Sequence, residues 1–197
     1  MKRFILIACS IFCCAGWSFA QSHDEYPKNE FFAGYSYHSA DINTLTIDPA
    51  RTGQNGVNVA YTRNLNQNIG ITGDISAHFK RDSQQTSNGG VFERQRDQYY
   101  FLGGVKFKAR TENRTKPFVH ALLGASLFRG FTSDRETSGN VFTFDDATSF
   151  ALALGGGLDV RVNDRVSIRV IQADYTPTFF GSGRQDNIRL SFGVVFK

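Results

Sequence analysis

The sequence predicts an all-β protein, an eight-stranded antiparallel up-and-down transmembrane β-barrel that follows a cleaved signal peptide. Three observations predict it: an export signal at the amino terminus, apolar/polar alternation in eight segments, and connections that alternate between short and long.

The export signal comes first. Lys2 and Arg3 open the chain, an apolar stretch runs from Phe4 to Gly16, and Ser18-Phe19-Ala20 supplies the small-x-small cleavage pattern. Cleavage is expected before Gln21. Residues 1–20 are thus read as signal peptide, 21–29 as a short periplasmic segment and 30–197 as the barrel. The apolar stretch falls short of the roughly 18 residues that a retained spanning helix needs. A lipoprotein box at Leu6-Ile7-Ala8-Cys9 would leave almost no hydrophobic region before the cut. Cys9, Cys13 and Cys14 are the only cysteines and all lie in the signal, so the mature chain has no thiol for a disulfide, a metal or nucleophilic chemistry. Removing Lys2 and Arg3 lowers the formal charge from +4 to +2, which says little about partners.

Beyond the signal the period is two. Phe31, Ala33, Tyr35 and Tyr37 oppose Ser36 and His38; Val57, Val59 and Tyr61 oppose Asn58 and Thr62. Ile69, Ile71, Ile75 and Phe79 oppose Thr72, Asp74, Ser76 and His78, and Tyr99, Phe101, Val105 and Phe107 oppose Lys106 and Lys108. The pattern continues through Val119–Leu127, Phe150–Val162, Val166–Val170 and Ile188–Phe196. Within these segments the apolar registers hold no charge, while the opposite registers hold the strand charges and Gly34, Gly70, Gly104, Gly124, Gly155 and Gly157.

A soluble barrel would place its apolar register inside. Glycine argues for the reverse arrangement, because a narrow lumen needs small residues wherever large ones cross it. Aromatics gather near strand ends in the apolar register (Tyr37, Tyr61, Phe79, Tyr99, Phe107, Phe150, Phe196), as interfacial girdles do. Lipid satisfies no backbone hydrogen bonds, so the first and last strands must pair. Pro27, Pro49, Pro117 and Pro177 are expected at or beyond strand ends. Connections 64–67, 110–116 and 163–165 are short and expected in the periplasm; 42–55, 81–97, 131–148 and 176–186 are long, polar and expected outside.

Phe31-Phe32-Ala33-Gly34-Tyr35 as first strand and Arg189-Leu190-Ser191-Phe192-Gly193-Val194-Val195-Phe196 as last resemble the small OmpA/OmpX-type outer-membrane barrels, the porin-family group with an outer membrane beta-barrel domain. The resemblance covers residues 30–197 and is architectural. It implies a bacterial outer-membrane location, and an assembly signal at Phe192, Val194 and Phe196 that the outer-membrane assembly machinery reads. Lys197 after the terminal Phe196 departs from that pattern. No peptidoglycan-binding domain is expected to follow, so tethering to the cell wall is not implied.

The candidate site is the lumen. Asp74, Lys106, Lys108, His120, Asp159, Arg161, Arg169 and Arg189 should point inward as a self-neutralising charge network. Gln172 and Asp174 share the register of Val170 and join it only if the strand bulges near Ile171. Asp159 should face Arg169, and Arg161 should face Ser167, across a turn of Asn163-Asp164-Arg165. No catalytic residue, cofactor or metal ligand is assigned. The expected role is a non-catalytic barrel that supports the envelope and displays four long loops for adhesion or recognition. A lipid A-modifying enzyme and a narrow channel are the alternatives. His38 and His78, each near serines (Ser36, Ser39, Ser76), hold a base and a hydroxyl, the minimum for acyl transfer. They would need to meet in a lipid-accessible groove. Expected partners are the bilayer, lipopolysaccharide and the assembly machinery, with no nucleic acid, for a monomer. Gly155-Gly156-Gly157 is expected to allow a bend or close lumen packing rather than to bind phosphate.

Overall fold

Each alternating segment becomes a strand. A computed structural model describes residues 26–41, 51–85, 91–109, 113–134, 141–143, 147–180 and 183–197; the signal peptide and Pro49 lie outside them. The strands are β1 (Asn29–Asp41), β2 (Arg51–Asn64), β3 (Ile69–Gln85), β4 (Val91–Lys108), β5 (Thr115–Asp134), β6 (Val141–Thr143), β7 (Ala147–Arg161), β8 (Val166–Tyr175), β9 (Thr178–Phe180), β10 (Gly183–Gln185) and β11 (Ile188–Phe196).

Eight of them close a barrel in the order β1-β2-β3-β4-β5-β7-β8-β11, every pair antiparallel. Closure runs from Phe31 opposite Phe196 to Ser39 opposite Ile188. No open edge therefore meets lipid. The short strands β6, β9 and β10 extend the sheet at the long-connection end.

At that end the strands outrun the expectation. The β3–β4 ladder continues from Lys80 opposite Arg96 to Gln85 opposite Val91, inside what reads as a loop at 81–97. The β4–β5 ladder reaches Phe92 opposite Asp134, β2 already begins at Arg51, and β9 and β10 lie within 176–186. Beyond the bilayer both faces of a strand meet water, so apolar alternation stops while backbone pairing continues. Pro117, expected at a strand end, is the third residue of β5.

Two turns at the other end share one design. Leu65 N and Asn66 N both donate to Ile69 O, and Asn66 Oδ1 accepts from Asn68 N and Ile69 N. Val162 N and Asn163 N likewise donate to Val166 O, and Asn163 Oδ1 accepts from Arg165 N and Val166 N. Asparagine folds its side chain onto the backbone two and three residues ahead, and this holds a tight turn. The first of these turns spans Leu65–Asn68, one residue later than the sequence suggests.

The faces are inverted relative to a soluble protein. Val57, Ile71, Phe101, Val105, Val119, Leu123 and Phe192 stand outward and exposed. A continuous apolar belt of this kind would aggregate in water and is at home in lipid. Buried apolar residues form only two small clusters, Tyr100 with Leu102, Leu122, Ala151 and Ala153, and Phe32 with Ala60 and Val195. Apart from Phe118 and Ala40, the other buried side chains there are mostly polar or charged. Curvature brings strands close where glycine points inward: a Cβ on Gly124 would lie 2.0 Å from Phe101 O, and one on Gly155 would lie 2.1 Å from Asp174 Oδ1. Such contacts leave room only for glycine.

Candidate functional site: the barrel lumen

Inward register brings Glu30 to the base of β1, Lys106 and Lys108 to β4, Asp159 to β7, Arg169 and Asp174 to β8, Asp74 to β3 and Arg189 to β11, all buried. Four carboxylates thus meet four cations in the buried interior. The formal balance is neutral, as a low-dielectric interior requires.

The balance is achieved pair by pair. Lys108 Nζ lies 2.5 Å from Glu30 Oε2 and 2.8 Å from Asp159 Oδ2. Arg169 donates to Asp159 through Nε (2.8 Å) and Nη2 (3.3 Å), a fork that only a planar guanidinium can present. Its Nη1 reaches Gln172 Oε1 at 2.6 Å, and Gln172 Nε2 donates to Asp174 Oδ2 at 2.7 Å. Asp174 also receives Arg189 Nε at 3.0 Å and meets His120 Nε2 at 2.8 Å. Arg189 Nη1 then crosses to Asp74 Oδ1 at 2.7 Å and Ser76 Oγ at 2.9 Å, while Asn58 holds Asp74 Oδ2 at 2.9 Å. The chain of contacts from Glu30 to Asn58 draws a side chain from every one of the eight barrel strands.

A bulge makes this possible. Asp159 pairs with Arg169 but the preceding Leu158 pairs with Ile171, so Val170 and Ile171 both face out. Without that extra residue, Gln172 and Asp174 would point toward lipid. The β7–β8 register is the expected one, with Asp159 opposite Arg169 and Arg161 opposite Ser167. Arg161 nonetheless does not join the network. It is the last residue of β7, where the lumen opens to solvent, and it is exposed. Its inward register carries it past the buried zone, and Asp159 is already met by Arg169 and Lys108.

Several partners were not singled out from the sequence. Arg169 lies between two aromatic faces, 4.2 Å from the Phe32 ring centroid and 4.3 Å from that of Phe118; Lys106 sits 4.4 Å from Phe118. Both rings also fill the space over inward glycines, Phe32 toward Gly34 and Phe118 toward Gly157. A guanidinium stacked on desolvated rings gains attraction that water would screen. The sequence gives Glu30 no role beyond opening the barrel segment. Its signal was available, because it shares the inward register of Phe32 and Ser36.

Above the ion pairs lies a neutral polar layer. Ser36 Oγ and His78 Nε2 are 2.9 Å apart, Ser191 Oγ donates to Ser36 at 3.0 Å, and His38 Nε2 meets the Tyr100 hydroxyl at 2.9 Å. The two imidazoles pack with centroids 4.8 Å apart. A serine and a histidine do touch, but Ser36 and His78 are both 0% exposed and the wall of Tyr35, Tyr37 and Phe79 separates them from lipid. Among the described residues the Ser36–His78 pair is therefore enclosed in the lumen and does not line a groove open to lipid. Among the described residues no group of three or more His, Cys, Asp or Glu is placed to hold a metal ion.

The residues of the expected assembly signal lie in the outward register of β11. Phe192 and Phe196 are half exposed, and Phe196 pairs with Phe31 on one side and Val166 on the other.

Comparison with known proteins agrees with this architecture. The family described as "Outer membrane protein beta-barrel domain" matches residues 6–196. Among curated proteins no sequence match was found. Among solved structures the chain is similar to Ail, the attachment invasion locus protein of Yersinia pestis, in complex with the heparin analogue sucrose octasulfate. The TM-score is 0.56 at 17% identity, covering 85% of this chain and 97% of that one. It is also similar to Neisserial surface protein A, with a TM-score of 0.57 at 14% identity over 87% of this chain and 97% of that one. At these identities the likeness is one of fold.

Proposed function

Because the chain belongs to the outer membrane protein beta-barrel family, we propose that it is a non-catalytic outer-membrane barrel whose long hairpins serve adhesion or recognition at the cell surface. One observation carries the reading: the lumen is filled by a neutral network anchored on all eight barrel strands, so the interior serves as a brace. A channel needs a continuous aqueous path, and the buried guanidiniums of Arg169 and Arg189 stand across it. What remains for contact is the outer end, where β3, β4 and β5 rise beyond the apolar belt as a paired polar ribbon.

Ail carries attachment in its name and its complex holds a heparin analogue, so this fold has served recognition elsewhere. For the present chain the reading rests on the hairpins themselves. Its further partners are lipopolysaccharide at the outer rim and the assembly machinery at β11, and it acts as a monomer.

The test compares cells lacking the gene with cells carrying the wild type or a variant in which residues 81–97 are replaced by a tight turn. Adherence to host-cell surfaces should fall in the deletion and stay low with the shortened variant. Lipid A mass spectra should be identical in all three. Altered lipid A acylation would overturn the non-catalytic reading, and unchanged adherence would overturn the role of the hairpins.

A further inference from the structure

Three lumen-facing positions stand side by side at the short-turn mouth of the barrel. Arg114, just before β5, shares the inward register of Phe118 and His120; Arg161 ends β7 in the register of Asp159; Ser167 on β8 shares the register of Arg169. Arg161 N donates to Arg114 O at 2.8 Å, one step beyond the pairing of Thr115 with Val160. On its other side Arg161 pairs with Ser167. Directly opposed residues hold their Cβ atoms about 4.5–5.5 Å apart, so the three side chains can meet on one small group.

The row is built against its own charge. Like charges directly opposite one another destabilise a sheet, and Arg114 and Arg161 are both exposed at the mouth. Asp159, two residues deeper on β7, is already met by Lys108 and Arg169. Ser167 is 1% exposed, and its Oγ has no hydrogen-bond partner. An unpaired buried hydroxyl is a cost that a bound acceptor removes. Lys28, Lys116 and Lys197, each with contacts of its own, share the lumen-facing register at this end. Asp164 in the β7–β8 turn is the only exposed acidic side chain there among the described residues.

Two guanidiniums and a hydroxyl, all donors, call for an anion with several acceptor oxygens. A guanidinium presents a planar fork that matches two oxygens of a phosphate. Two such forks with a hydroxyl beside them serve more oxygens than one carboxylate offers. Arg161 lies where the lumen opens to solvent, so the ligand arrives from water at the mouth. The buried side chains of Lys108 and Arg169 close the way further in, which limits the ligand to a small one.

We propose that Arg114, Arg161 and Ser167 bind the phosphate group of a small soluble anion at the short-turn mouth. The two guanidiniums grip the phosphate oxygens, Ser167 Oγ donates to another, and binding relieves the repulsion between the arginines. The compartment rests on the outer-membrane reading above, in which the short turns are periplasmic and the ligand is a periplasmic solute.

The test uses the full mature protein folded in detergent micelles. The probes are inorganic phosphate and glycerol 3-phosphate, with chloride at matched ionic strength as the control, and NMR follows the backbone amides. Saturable shifts should centre on Arg114, Arg161 and Ser167 and spare Arg184 at the other rim. Arg114→Gln/Arg161→Gln should abolish them, Ser167→Ala should weaken affinity several-fold, and Asp164→Asn should strengthen it. Phosphate should also raise the urea midpoint of the wild type and leave that of the double variant unchanged, because a ligand of the folded state stabilises it. Heat-modifiable gel migration confirms that each variant is a closed barrel. Tighter binding of glycerol 3-phosphate assigns the ligand to phosphate esters, and tighter binding of inorganic phosphate assigns it to free phosphate. Shifts that chloride reproduces, or that the double variant retains, would overturn the proposal. Labelling of Asp164→Cys by an impermeant reagent on whole cells would overturn the choice of compartment alone, whereas lack of labelling supports it.

Discussion

The Arg189 guanidinium donates to Asp74 Oδ1 at 2.7 Å across the lumen, joining β11 to β3 with β1 and β2 between them. Neighbouring strands already share backbone hydrogen bonds, so this contact ties parts of the wall that the ladder does not. Arg189 meets Asp174 as well, and it is fully buried.

Arg189→Leu should therefore be among the most damaging single changes. It leaves Asp74 and Asp174 without their shared cation, and removing one member of a buried ion cluster costs about 3–5 kcal/mol. Urea unfolding in lipid vesicles should show a loss of that size. The triple change Asp74→Asn/Asp174→Asn/Arg189→Leu should recover much of it. A triple variant less stable than Arg189→Leu would count against an electrostatic origin.

Asp159 and Arg169 should behave asymmetrically. Arg169→Ala leaves Asp159 in contact with Lys108, whereas Asp159→Ala takes a carboxylate from both Lys108 and Arg169. Asp159→Ala is expected to be the more destabilising, and worse than Asp159→Ala/Arg169→Ala. The coupling from the double-mutant cycle should exceed about 1 kcal/mol, as for contacting charged residues. Strict additivity would sink this account.

The direction of insertion can be read by labelling. Cysteines at Asn88 and Ser138, which lie outside the described residues, should react with an impermeant reagent on intact cells. One at Asp164 should react only after the outer membrane is permeabilised. The opposite pattern would invert the barrel.

Phe196 is expected to matter for assembly beyond its packing. It is outward, half exposed and paired with both Phe31 and Val166, so it stands where the barrel closes. Phe196→Ala should lower the amount of heat-modifiable barrel in the outer membrane, and deletion of Lys197 should not. Equal levels of wild type and Phe196→Ala would remove the assembly role.

Much of this molecule was legible because lipid imposes a strict rule on local sequence. A strand in the bilayer has one face in hydrocarbon and one in the lumen, so Ile69, Ile71 and Ile75 against Thr72, Asp74 and Ser76 reveals both the strand and its orientation. The same rule ends at the membrane surface. Residues 81–85 and 91–97 read as loop because neither face is apolar there, although the backbone stays paired. Arg161 shows the limit in the other direction: register placed it inward, but register does not say how far along the axis the buried zone extends.

By itself the sequence determined the barrel, its inside and its outside, and the Asp159–Arg169 contact, because these follow from period two and the length of one turn. Only the tertiary structure decided the rest of the network. Whether Asp174 faces lipid or lumen depends on one extra residue at Val170–Ile171, and alternation on either side of a bulge looks equally regular. Arg189 reaching Asp74, Lys108 bridging Glu30 and Asp159, and Phe32 and Phe118 enclosing Arg169 are contacts across the lumen. They depend on how far each strand is staggered when the sheet closes on itself. That stagger is a property of the whole circle of strands and is written in no single one of them.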